Sequence, residues 1–101
     1  MQYRSINPFT EQVLGAFECV CDGVLDGVLV GLDGFFTSDS SVGLDVRLGR
    51  IEQISRIIER HEDELAELIS VEMGKVFWDA KVEVQKCVGV CRFYCEHSKS
   101  Y

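Results

Sequence analysis

The sequence predicts a single small domain of the α+β class that is mainly α-helical and begins with a short β-hairpin. Three observations support this prediction. The chain has 101 residues, which is the size of one domain. Two short runs rich in β-branched and aromatic residues flank a turn near the N-terminus. The rest of the chain repeats apolar residues at helical spacing, as in Leu44, Ile51, Ile58 and Leu65.

The hairpin is predicted over residues 3–18. Pro8 fixes its φ angle at a turn position, and the side chain of Asn7 can bond back to the nearby backbone. An isolated hairpin is only marginally stable in water, so we expect this one to lie against another part of the chain.

A first helix is predicted over about residues 22–36, with Asp22 as the candidate N-cap. Its apolar side is interrupted by glycines, each of which costs about 1 kcal/mol of helix stability relative to alanine. These glycines are Gly23, Gly27, Gly31 and Gly34. The pattern predicts a poorly formed helix that needs tertiary support.

Two consecutive helices are predicted over about residues 42–61 and 63–73. Ser40 or Ser41 is the candidate N-cap of the first, and Asp63 that of the second. A polar His61 interrupts the apolar stripe, which favours a break there over one long coiled coil. Gly74 is the predicted stop of the second helix.

A last helix is predicted over about residues 77–96. Its segment Cys87–Cys95 is apolar almost all round, with Arg92 as its only charge. We expect Arg92, and likewise Arg47, to be tied to an acidic partner. Such an apolar helix needs burial on more than one side.

Three cysteines, Cys87, Cys91 and Cys95, follow one ridge of this helix. They would spread over about 12 Å of helix axis, too far apart to surround one metal ion. We interpret them as core-packing residues, with a metal or redox site as the alternative.

Composition excludes several classes of function. The net charge of -7 and the absence of a basic cluster argue against nucleic-acid binding. No apolar segment has the length of a signal peptide core or a membrane span. Five cysteines without a secretory signal indicate reduced thiols, so we expect a cytoplasmic protein.

No set of residues in the chain is arranged for chemistry. His61 has no nucleophile near it in sequence, and Gly74-Lys75 lacks the glycines and the Ser/Thr of a phosphate loop. The glutamates near His61 form a solvated acidic face. We therefore predict no catalytic, cofactor-binding or metal-ligating residue in this chain.

Several segments nevertheless resemble one enzyme family. They are INPFTEQVLGAF at residues 6–17, the helix that starts at Arg47, ELAELISVEMGK at residues 64–75, and CVGVCRFYCEH at residues 87–97. In order and spacing they resemble the N-terminal portion of the α/β fold of NAD(P)-dependent aldehyde dehydrogenases. Within that family the chain is most similar to succinate-semialdehyde dehydrogenases.

The resemblance implies an intact enzyme that oxidises an aldehyde to a carboxylic acid through a cysteine thiohemiacetal, with NAD or NADP as cofactor. The family's cysteine nucleophile, glutamate base, oxyanion-hole asparagine and cofactor loops all lie downstream of the matched region. We therefore expect a truncated fragment that is inactive and binds no cofactor alone. The chain also departs from the family pattern, with Asp39 in place of a tryptophan and Val76 in place of a proline.

Two lesser expectations follow. In some family members the backbone of the first strand and an acid on the third helix hold a monovalent cation, at positions matching Ser5, Ile6 and Glu83, although a plain surface glutamate is the alternative for Glu83. The other expectation is a small helical module for protein interaction or oligomerisation, without enzymatic activity. Its partner would be the remainder of a dehydrogenase, or a second copy bound through the Cys87–Cys95 helix.

Overall fold

The computed structural model describes residues 1–101. It contains an antiparallel hairpin, four α-helices and a C-terminal 3₁₀ turn. These elements are β1 (Gln2–Ile6), β2 (Val13–Glu18), α1 (Asp22–Asp39), α2 (Leu44–Arg60), α3 (Glu62–Met73), α4 (Phe77–His97) and the turn Ser98–Ser100. The predicted class, mainly helical with an N-terminal hairpin, is confirmed. None of the helices combines the length and the apolar character needed to cross a membrane.

The hairpin is closed by the turn that its sequence predicts. The side-chain Oδ1 of Asn7 accepts hydrogen bonds from the backbone N–H groups of Phe9, at 2.9 Å, and Thr10, at 3.2 Å. The two strands pair in antiparallel register, with a bulge between Ser5 and Ile6. Asn7 thus fixes the turn through its side chain, as its position next to a proline indicates.

Helix α1 runs to Asp39, three residues beyond its predicted end. Its N-cap is Cys21, which makes no side-chain capping bond, so the prediction that Asp22 caps the helix is wrong. Asp22 is instead the first helical residue, where its negative charge still favours the helix dipole. No residue of α1 is buried.

The N-caps predicted for the next two helices are also wrong. Gly43 precedes α2, because α1 continues far enough that Ser40 closes its C-terminus and donates its hydroxyl to the Thr37 carbonyl at 2.8 Å. His61 precedes α3, which places Asp63 inside the first turn of that helix. The break between α2 and α3 at His61 agrees with the sequence.

The core lies where α4 packs against α2 and α3. Its fully buried centre consists of Ala66 and Ala80, with Val84 beside them. Half-buried apolar side chains surround this centre: Ile58, Leu65, Ile69 and Phe77. The core is small, because only three buried residues form its centre.

The molecule as a whole exposes more surface than a self-contained domain of its size. Only five of its 101 residues are buried. Its radius of gyration is 17.9 Å, whereas a compact chain of this length has a radius of about 13 Å. Its accessible surface of 8097 Å² exceeds that of a compact monomer of equal mass by about 2,300 Å². Large apolar faces are therefore left uncovered within this chain.

Candidate functional site

The hairpin docks on the connection between α3 and α4. Gly74 ends α3 with a left-handed backbone, at φ 67°, as its predicted role as a helix stop requires. A Cβ atom on Gly74 would lie 2.8 Å from Cγ of Pro8 in the hairpin turn. Beside this contact, the hydroxyl of Ser5 donates a 2.8 Å hydrogen bond to Oε1 of Glu72. We call this contact region the hairpin junction, defined by Ser5, Pro8, Glu72 and Gly74.

Polar contacts also fix the residue after Gly74. The hydroxyl of Ser70 donates to the backbone carbonyl of Lys75 at 2.6 Å, which ties the connection after Gly74 back to α3. The Lys75 Nζ atom lies 2.7 Å from Oε2 of Glu83 on α4. The hydrogen bond to Glu83 raises the pKa of Lys75. Gly74-Lys75 is therefore a fixed corner between two helices.

The residues that the family resemblance connects with a cation have other partners here. Ser5 bonds to Glu72, while Glu83 pairs with Lys75. No group of three or more His, Cys, Asp or Glu side chains is arranged to hold a metal ion. The side chains of Ser5 and Glu83 are thus bound to different partners.

The cysteine ridge of α4 is only partly a packing surface. Cys91 and Cys95 are half-buried, and the thiol of Cys95 lies 3.5 Å from the Leu48 carbonyl oxygen on α2. Desolvation raises the pKa of Cys95. Cys87 is exposed, so its interpretation as a core residue is wrong. Positions four apart rotate by about 40° around a helix, which carries Cys87 off the buried side.

Ion pairs join α4 and α1 to the central helices. Arg92 reaches Oε2 of Glu59 at 2.8 Å, which confirms that it is tied to an acid. Arg47 forms no ion pair of its own, since Arg50 makes the bidentate contact with Asp39, at 2.8 and 3.1 Å. The hydrogen bond to Arg50 lowers the pKa of Asp39, and the nearby charge of Arg47 also helps to lower it. Sequence reasoning missed the pair of Arg50 and Asp39 because the two side chains belong to different helices.

The N-termini of the four helices are acidic. Helix N-termini bind pyrophosphate through free backbone N–H groups and the positive end of the helix dipole. Each of the four helices carries at least one acidic residue in its first turn. These carboxylates would repel a pyrophosphate. His61 lies 3.0 Å from Glu64, and His97 lies 2.8 Å from the Phe93 carbonyl oxygen and stacks on the Phe93 ring.

Two exposed surfaces remain as candidates for binding. The α1 face consists of exposed large apolar side chains: Val24, Leu25, Val28, Leu29, Leu32, Phe35 and Phe36. The α4 groove has a volume of about 760 Å³ and is lined by Lys75, Asp79, Val82, Glu83, Lys86, Cys87, Val90 and Cys91. Both surfaces are suited to packing against protein.

The structure is a mainly helical segment with uncovered apolar surfaces, and comparison with known proteins gives its family. The model of the aldehyde dehydrogenase family matches residues 1–101, and the chain belongs to this family. The resemblance seen in the sequence is thereby confirmed.

Individual dehydrogenases are also similar to this chain in sequence. The chain is 32% identical over 101 residues to a probable succinate-semialdehyde dehydrogenase [NADP(+)] of Synechocystis sp., covering all of this chain and 22% of the relative. It is 28% identical over 93 residues to a succinate semialdehyde dehydrogenase [NAD(P)+] of Escherichia coli, covering 92% of this chain and 20% of the relative. An N-succinylglutamate 5-semialdehyde dehydrogenase of Pseudomonas fluorescens is 30% identical over 86 residues, covering 85% and 18%. The chain thus spans about a fifth of the length of these relatives.

Proposed function

We propose that this chain is the N-terminal segment of an NAD(P)-dependent dehydrogenase that oxidises succinate semialdehyde to the carboxylic acid, and that it is inactive alone. The observation that carries the proposal is the match to the family over all 101 residues, together with relatives named as succinate-semialdehyde dehydrogenases. The five free thiols support a cytoplasmic location.

The surroundings of the thiols and of the helix N-termini support the proposal that the chain is inactive by itself. The exposed thiols, Cys21 and Cys87, form no hydrogen bond to a histidine or carboxylate that could act as a base. The half-buried Cys95 has a raised pKa, which suppresses the thiolate needed for attack on an aldehyde. Each of the four helices has an acidic residue in its first turn, which also disfavours binding of NAD or NADP.

The contribution of the segment to an intact enzyme would be structural. The hairpin junction connects the hairpin to the end of α3 through the Ser5–Glu72 hydrogen bond and the close approach of Pro8 to Gly74. The α1 face is apolar and uncovered, and a cofactor-binding domain packed on it would bury it. We propose the remainder of the dehydrogenase as the partner of the α1 face.

A chimeric enzyme tests this function. The matched segment of the Synechocystis relative is replaced by this chain, and oxidation of succinate semialdehyde is followed by the absorbance of the reduced cofactor. We expect turnover by the chimera and none by the chain alone. The control chimera carries Leu29→Asp, which places a charge in the α1 face and should prevent assembly, whereas Val46→Asp on the exposed side of α2 should not.

Three outcomes would contradict the proposal. Cofactor-dependent oxidation by the purified chain would show that it is not inactive alone. A folded chimera that oxidises other aldehydes but not succinate semialdehyde would refute the substrate. Equal activity of the Leu29→Asp and Val46→Asp chimeras would refute docking through the α1 face.

A further inference from the structure

Two thiols of α4 lie side by side in the α4 groove. Cys87 is exposed and Cys91 is half-buried, and both line the groove. They occupy positions i and i+4 of one helix, which places their Cβ atoms about 5–6 Å apart on the same side of it. The groove lies on the surface of the molecule, so a small ligand can reach both sulfur atoms.

This spacing suits an ion held between the two sulfurs better than it suits a disulfide. An unstrained disulfide brings its two Cβ atoms to about 3.5–4.5 Å, which is closer than the spacing of neighbouring helical turns allows. An ion bound at about 2.3 Å from each of two thiolates in line holds the sulfurs about 4.6 Å apart. Rotation of each side chain about its Cα–Cβ bond can set this distance, so α4 need not bend.

A pair of thiols selects a soft ion that needs few ligands. The chain does not bring a third His, Cys, Asp or Glu side chain into a metal-binding group with them. Glu83, one turn before Cys87, is held by Lys75 at 2.7 Å. Zinc takes at least three protein ligands, so two thiols do not satisfy it. Copper(I) prefers thiolate sulfur to carboxylate oxygen and is stable between two ligands in line.

The third cysteine of the ridge is not part of this pair. The thiol of Cys95 lies 3.5 Å from the Leu48 carbonyl oxygen on α2, and Cys95 does not line the α4 groove. Desolvation raises the pKa of Cys95, so the loss of its proton to a metal ion costs more free energy there. Cys91 therefore shares an ion with Cys87 rather than with Cys95.

We propose that Cys87 and Cys91 bind one copper(I) ion between their sulfur atoms in the α4 groove. Each thiol releases its proton to solvent and forms one bond to copper, so the two thiolates and the ion carry one net negative charge. Copper stays in the +1 state, and no electron is transferred. Lys86 lines the same groove and forms no ion pair within the chain, so its ammonium group offsets this charge. The proposal does not depend on the dehydrogenase function, which is tested by turnover of the chimera.

The first experiment is a titration of the reduced full chain with copper(I), without oxygen and in competition with a chromogenic copper(I) chelator. We expect the wild type to withdraw one copper ion per chain from the chelator. Cys87→Ser/Cys91→Ser should lose this equivalent, whereas Cys95→Ser should keep it. The matched control is Cys19→Ser/Cys21→Ser, which removes the other close pair of thiols and should also keep it. Unchanged circular dichroism verifies that the variants are folded.

A second experiment identifies the ligands and needs no variant. X-ray absorption of the copper-loaded chain should show two sulfur atoms at about 2.3 Å from copper. Alkylation followed by mass spectrometry should show protection of Cys87 and Cys91 by copper, with Cys21 still reactive. Because both ligands come from one chain, this protection should not change with protein concentration.

Four outcomes would overturn the proposal. The first is copper binding that survives Cys87→Ser/Cys91→Ser, and the second is binding that Cys19→Ser/Cys21→Ser removes. The third is a single copper ion bound per two chains, which would place its ligands on different copies. The fourth is an adventitious ion only, in which the chelator removes all copper from the wild type and no thiol is protected.

Discussion

Replacing Gly74 with alanine tests whether the hairpin junction holds the molecule together. At φ 67° the backbone of Gly74 lies in the left-handed region, where a side chain is strained. The added Cβ would also lie 2.8 Å from Cγ of Pro8. That atom belongs to a closed ring and cannot rotate away, so either the hairpin or the α3–α4 corner must move.

The expected loss of stability has two parts. The left-handed conformation costs about 1–2 kcal/mol for a residue with a Cβ. Relieving the contact with Pro8 costs about 1–3 kcal/mol, as in other overpacked sites. Reduced freedom of the unfolded chain returns about 0.4–1 kcal/mol. We therefore expect Gly74→Ala to lower the free energy of unfolding by about 2–4 kcal/mol, which lowers the melting temperature by about 4–8 °C per kcal/mol.

The assay is chemical and thermal unfolding followed by circular dichroism. Gly49→Ala is the matched control, because Gly49 lies within α2 and a Cβ there meets no atom within 4 Å. This control should gain about 1 kcal/mol from helix propensity. Adding Pro8→Ala to Gly74→Ala should recover the cost of the contact but not that of the backbone. A stable Gly74→Ala variant, or no coupling between the two positions, would refute the reasoning.

Three further predictions concern the core, the attachment of α1 and the thiols. Val84→Ala should lower the free energy of unfolding by about 2 kcal/mol in urea titrations, because Val84 is 3% exposed and two methyl groups are lost from the core. Asp39→Asn should release α1, seen as faster proteolysis between α1 and α2. The folded-state pKa of Asp39 is lowered by its bond to Arg50, so the pair's stabilisation is present above about pH 4 and is lost as the pH falls through that lowered value. Cys95 should alkylate more slowly than Cys87, since burial raises the pKa of Cys95.

The sequence predicts the elements well because their signals are local. Apolar spacing of 3.6 residues marks the helices, and Asn7 with Pro8 marks the turn between the strands. The predicted N-caps were wrong because local signals do not decide among capping residues that lie close together. Several capping residues stand close together around Ser40, and the length of α1, which decides among them, depends on the contact of Asp39 with Arg50 in α2.

Contacts across the fold lay beyond a reading of sequence alone. Ser5 and Glu72 are 67 residues apart, and nothing in either segment marks the other. The sequence did predict that the hairpin packs against another part of the chain and that α3 stops at Gly74. Only the structure shows that these two expectations meet at one place, where Pro8 packs on Gly74.

Helix α1 is the element of this chain that has the least support from the rest of the fold. Its four glycines cost about 4 kcal/mol relative to alanine, and an isolated helix of 18 residues is already marginal in water. No residue of α1 is buried, and its attachment to α2 is the exposed pair of Asp39 and Arg50. Packing within the chain does not offset this cost. We therefore propose that a partner surface covers the α1 face and stabilises the helix that it binds.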